Sequence, residues 1–242
     1  MHRSGTSMIT QLLLDMGLDM GDVSGFYGPD SWNERGYIEQ IDIINANSKL
    51  ITGFERTKNR PKSFLSKLVY LNRPTHQRIQ KRANEMKYSI TKIGSKYSHK
   101  VVKDTRFCLT VGHWRDYGFV EKVVICLRHP VETVLSLRKR QNIPLWLGYM
   151  FWDYHVESLL NNLESEPTIF INFNVLTSSE FEQELNRIAC FFMLEKTKYE
   201  LKSHYDKTFV PNLVHQRAYE NDKLPLKTHE LWRKLMNLYN NQ

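Results

Sequence analysis

The chain has 242 residues, 41% of them hydrophobic and 25% charged, with 11 glycines and 8 prolines. That length can bury a real core in one α/β domain, and the composition excludes disordered, collagen-like and low-complexity classes. With 34 basic and 26 acidic residues the net charge is +8, which favours an anionic partner (a nucleotide, a sulfated or phosphorylated ligand, nucleic acid or a membrane surface) without choosing among them.

Residues 8–16 (MITQLLLDM) have helical apolar spacing, and Gly17 falls where a helix C-cap belongs. A turn-rich stretch at 21–36 precedes a helical pattern at 37–51, and 56–97 is the most basic and least patterned part, expected to hold helices and loops. Three runs read as strands: 100–103 (KVVK), 122–127 (KVVICL) and 168–173 (TIFINF). The second is continuously apolar, as a strand buried on both faces should be. Helical patterns occupy 106–117, Pro130–Gln141, 145–163 and 180–192, with one more amphipathic helix at 227–239.

Short apolar strands alternating with helices predict an α/β fold with a central parallel sheet. No linker or repeat divides the chain, so one domain over 1–242 is expected, with a C-terminal helical extension at 195–242. No apolar run is long enough to span a bilayer, and no charged-then-apolar leader opens the chain. Cys108, Cys126 and Cys190 all lie in apolar stretches. An odd, sparse, buried-looking set argues against a disulfide framework and fits a reducing compartment, hence a cytoplasmic protein.

Two segments suit anions. Arg3, Ser4, Gly5, Thr6 and Ser7 run straight into the first helix, where backbone N–H groups, hydroxyls, the helix dipole and a guanidinium all favour phosphate or sulfate. The same residues also suit an ordinary capped helix N-terminus. No lysine follows Gly5 as a Walker A loop requires, and strand 122–127 ends in Arg128 rather than a magnesium-binding aspartate, so a P-loop kinase is disfavoured. Arg128 stands beyond the carboxyl end of that strand, where α/β proteins bind ligands, and its planar fork suits a phosphate. Ser136 follows eight residues later, in the helix opened by Pro130.

The loop from Arg3 to Ser7 resembles the 5′-phosphosulfate loop of sulfotransferases that use 3′-phosphoadenosine 5′-phosphosulfate (PAPS). The segment RHPVETVLSL, from Arg128 to Leu137, resembles their 3′-phosphate motif, with the same Arg-to-Ser spacing. Asn33, Gly36, Tyr37 and Glu39 match the N-x-x-G-[YHF]-x-E segment of the bacterial-type subfamily whose loop reads MHRSGTS. Lys103, Asp104, Thr105 and Arg106 resemble its K-D-P-R segment, with Thr105 in place of proline. These likenesses occur in matching order from about residue 1 to residue 194.

The resemblance implies a P-loop-like three-layer fold. It would lack the usual first strand, which relatives carry just before the loop with which this chain begins. It implies transfer of a sulfuryl group from PAPS to an acceptor hydroxyl or amine, a carbohydrate being the first expectation, with no metal. Ser4 to Ser7 and Arg3 would hold the phosphosulfate, and Arg128 and Ser136 the 3′-phosphate. Glu39 would take the acceptor's proton, with Glu34 as the alternative and Lys103 steadying the leaving phosphate; Glu39 equally suits a first-turn helical acid. His2, His129 and His155 lack metal-ligand spacing. The aromatic stretch 146–155 is expected to pack in the core and the basic run 138–140 to face solvent. The competing class is a nonenzymatic basic module binding nucleic acid or another polyanion. No recognised nucleic-acid motif is present and the basic residues are dispersed, so no nucleic-acid partner is expected. The sequence leaves the oligomeric state open.

Overall fold

The computed structural model describes residues 4–28, 36–55, 76–117, 120–164, 166–209 and 223–242. Among the described residues helices dominate, with one small parallel sheet, an arrangement compatible with an α/β fold. In chain order the elements are α1 Thr6–Asp15, α2 Ile41–Thr52, α3 His76–Glu85, α4 Lys87–Lys96, α5 Phe107–Arg115, β1 Val123–Leu127, α6 Pro130–Gln141, α7 Leu145–Asn162, β2 Thr168–Asn172, α8 Phe173–Leu176, α9 Phe181–Phe192, α10 Lys198–Thr208 and α11 Leu226–Asn240. Among the described residues no helix is long and apolar enough to cross a membrane.

The chain forms two compact units. One comprises 1–18, 122–153 and 166–242; the other comprises 19–121 and 154–165. In the first, β1 and β2 pair in parallel from Val123 opposite Thr168 to Leu127 opposite Asn172. The long connection through α6 and α7 is what parallel pairing demands. Gly148 of α7 lets the helix come close to α6, since a Cβ there would meet Val134 at 2.6 Å. α1 buries Ile9, Leu12 and Leu13, and Thr208 of α10 donates to Asp15 across 2.6 Å. The open edge of β2 is covered by one side chain: Gln242 accepts from the Phe170 amide at 2.9 Å and donates to the Thr168 carbonyl at 2.8 Å. Its amide takes the place of a neighbouring strand.

In the second unit α2, α3, α4 and α5 enclose Ile43, Leu50, Ile51, Ile79, Ile90, Leu109 and Trp114. Asn47, fully buried on α2, accepts from Thr110 at 2.8 Å and from the Trp114 indole at 2.9 Å, and donates to Asp104 at 3.0 Å. A polar group in such a core is tolerated because its hydrogen bonds are made.

Several expectations need correction. Residues 100–103 form no strand. Their backbone bonds instead to Asp19, through the Val101 amide at 2.8 Å, and to the Gln40 side chain, which bridges Val101 and Lys103. β1 is half-buried at Val123, Val124 and Cys126 rather than buried on both faces. α2 begins at Ile41, so Glu39 precedes the helix instead of sitting in its first turn. Cys190 is exposed on α9, while Cys108 and Cys126 are half-buried. The 146–155 stretch buries Leu147, Trp152 and His155 but leaves Trp146 61% exposed. Arg138 and Lys139 face solvent as expected, with Arg140 half-buried.

Candidate functional site

Three features of the first unit converge at the carboxyl ends of its strands. The first is the start of α1. Its N-cap is Gly5, in the left-handed region at φ 84°, with no side-chain cap and no acidic residue in the first turn. The ordinary serine or threonine cap is therefore not the arrangement found, and the positive end of the helix has no first-turn acid against it. Ser4 is buried, while Thr6 and Ser7 are half-buried. Arg3 and His2 lie outside the described residues.

The second feature is Arg128, just past β1 and 8% exposed. Its Nε donates to Glu132 Oε2 at 2.9 Å, one turn into α6. Pro130 opens that helix at its first position, where the missing N–H costs nothing. Ser136 lies further along α6, its hydroxyl-bearing side chain buried; six residues of helix from Pro130 is a rise of ~9 Å. Thr133, fully buried between them, has no hydrogen-bond partner for Oγ1 among the described residues.

The third feature carries no motif. Phe173, the first residue of α8, directly follows β2, and its ring underlies both other features. A Cβ on Gly5 would meet Phe173 Cδ2 at 2.1 Å, and the Arg128 guanidinium carbon lies 4.9 Å from the ring centroid. Glycine at position 5 is thus required twice, by its φ and by the ring against it. The guanidinium over the aromatic face is a cation–π contact. The helix terminus and the arginine thus lie against one phenyl ring. Asn174 follows, donating to Glu132 Oε1 at 2.7 Å and accepting from the His129 amide at 3.4 Å.

The second unit brings Glu39 and Lys103 together. Lys103 Nζ lies 3.0 Å from Glu39 Oε1, both side chains 8% exposed, and donates to the Tyr37 carbonyl at 2.6 Å. The Tyr27 amide donates to the Glu39 carbonyl at 2.7 Å. Between Tyr37 and Glu39, Ile38 takes φ 48°, a strained conformation for a β-branched residue that costs ~1–3 kcal/mol and gathers at functional sites. Of the K-D-T-R segment, Asp104 and Arg106 fold on one another: the Arg106 amide donates at 2.9 Å and its guanidinium at 2.6 and 2.8 Å to the Asp104 carboxylate. That pair shapes the turn into α5. Glu34 and Asn33 lie outside the described residues.

No family model, no curated protein and no solved structure matches the chain.

Proposed function

We propose that the chain is a PAPS-dependent sulfotransferase of P-loop-like, three-layer α/β architecture. The observation that carries this reading is the single Phe173 ring touching both Gly5 and Arg128. A helix terminus and a guanidinium leaning on one ring suit a ligand with an anion at each end, such as an adenosine bearing 5′-phosphosulfate and 3′-phosphate. The order of motifs in the sequence supports the same assignment.

In the proposed reaction an acceptor oxygen attacks the sulfur of PAPS in line with the bridging oxygen. The new O–S bond forms as the old one breaks, and its electron pair stays on the 5′-phosphate of the departing adenosine 3′,5′-bisphosphate (PAP). Backbone N–H groups and hydroxyls of Ser4, Gly5, Thr6 and Ser7, with Arg3, would stabilise charge on the transferred group. Arg128 and Ser136 would hold the 3′-phosphate. Glu39 would accept the acceptor's proton and Lys103 would steady the leaving phosphate; their roles rest on the sequence resemblance, and their buried ion pair and the strained Ile38 are what support them. A carbohydrate hydroxyl is the proposed acceptor, and the sparse, odd cysteine set supports a cytoplasmic site of action.

Calorimetric titration with PAP tests the donor site. Arg128→Ala should weaken PAP binding by roughly a hundredfold, the scale of a lost charge-assisted pair, with the circular dichroism spectrum unchanged. Equal affinity in the two proteins would remove Arg128 from the donor site. For the proton acceptor, Glu39→Gln should retain PAP affinity and lose transfer of label from PAPS to a glycan panel; undiminished transfer would eliminate Glu39.

A further inference from the structure

Resting on that donor-site reading, we infer that Glu132, acting with Asn174, is a positioning residue that aims Arg128 at the 3′-phosphate. Glu132 is 1% exposed, and its two oxygens are divided: Oε2 takes the Arg128 Nε proton and Oε1 takes the Asn174 amide. Asn174 is itself fixed at both ends. Its backbone amide donates to Asn172 Oδ1 at 3.0 Å, capping α8, and its side-chain oxygen accepts from the His129 amide. The corner after β2 is thereby tied through Glu132 to the corner after β1.

A guanidinium carried on a long side chain has many directions open to it, and phosphate recognition uses one. Holding Nε against a carboxylate, with the guanidinium carbon over the Phe173 ring, narrows the directions open to the fork. Replacing the carboxylate by an amide disturbs this chain chemically, because a glutamine nitrogen would face another donor at Arg128 or at Asn174. If Asn174 turned its amide to compensate, the His129 amide would lose its acceptor. The charge has an opposing effect: an anion this close to a bound phosphate repels it. Positioning and simple neutralisation of Arg128 therefore predict opposite signs for Glu132→Gln.

The test titrates PAP and adenosine 5′-phosphate, which lacks the 3′-phosphate, into wild type, Glu132→Gln, Asn174→Ala, Arg128→Ala and the Arg128→Ala/Glu132→Gln double variant. Glu132→Gln should weaken PAP about tenfold, the scale of one hydrogen bond to a charged group. It should shift adenosine 5′-phosphate by less than about twofold and add nothing to Arg128→Ala. Unchanged or tighter PAP binding, or equal weakening of both nucleotides, would overturn the positioning role and leave the donor site standing. A wild type that does not bind PAP overturns the donor site itself and the inference with it. Should Glu132→Gln fail to fold, Asn174→Ala decides: a loss of about threefold confined to PAP supports the role, and no selective loss overturns it.

Discussion

His113 of α5 is 2% exposed, and neither ring nitrogen has a hydrogen-bond partner among the described residues. It stacks on His76 of α3 at 5.5 Å between ring centroids, with Asp116 Oδ2 3.9 Å away. Burial, and secondarily the neighbouring His76, hold its pKa below the ordinary 6.5. The unfolded chain therefore takes up a proton on this residue at a higher pH than the folded one. Its contribution to stability is complete above pH 6.5 and declines as pH falls below that value. Urea midpoints should drop between pH 7.5 and 5.5 in wild type, and His113→Leu should flatten that slope; an identical slope in the variant would assign the acid sensitivity elsewhere. The strained Ile38 is the same kind of feature, a single residue held by its surroundings in a state it would not choose alone.

Elements in this protein are joined by polar contacts as much as by apolar faces, and α11 shows it best. Leu231 and Leu235 bury its inner face, Thr228 donates to Asp153 at 2.8 Å, and Trp232 meets both His129 and Trp152 edge to face. At its far end the Tyr239 hydroxyl donates to Glu184, a fully buried carboxyl of α9 that also receives Arg187 at 3.0 Å. Burial pushes the Glu184 carboxyl above its usual range, and burial beside that carboxyl raises the Tyr239 phenol as well. A raised carboxyl favours the fold at low pH and costs stability as pH rises through its own pKa. Tyr239→Phe removes one of the bonds that offset this cost. It should lower stability at pH 7 by ~1–3 kcal/mol, the penalty for a buried acceptor losing its donor, read from urea unfolding. A variant as stable as wild type would mean that Arg187 and the Asn172 backbone amide already satisfy Glu184.

For the molecule as a whole, the sequence carried what is local. Apolar periodicity placed α6 at Pro130–Gln141 and α9 within one residue of its start, and the apolar runs placed β1 and β2. α10 opens on a capping box between Thr197 and Glu200, a T-x-x-E signal that the expected helical extension at 195–242 did not draw on. Strand-like KVVK misled because period and propensity do not reveal whether a partner strand exists; here a glutamine side chain and Asp19 took that place. Within the candidate site, Ser4 to Ser7, Arg128 and Ser136 were readable as residue types suited to anions. Phe173, Glu132 and Asn174 were not, because their importance comes from what lies against them after folding. Phe173 has one consequence of its own. A side chain against which both the start of α1 and Arg128 lean couples the placement of one to the placement of the other. Enlarging or shrinking that ring would therefore displace the helix terminus and the guanidinium together.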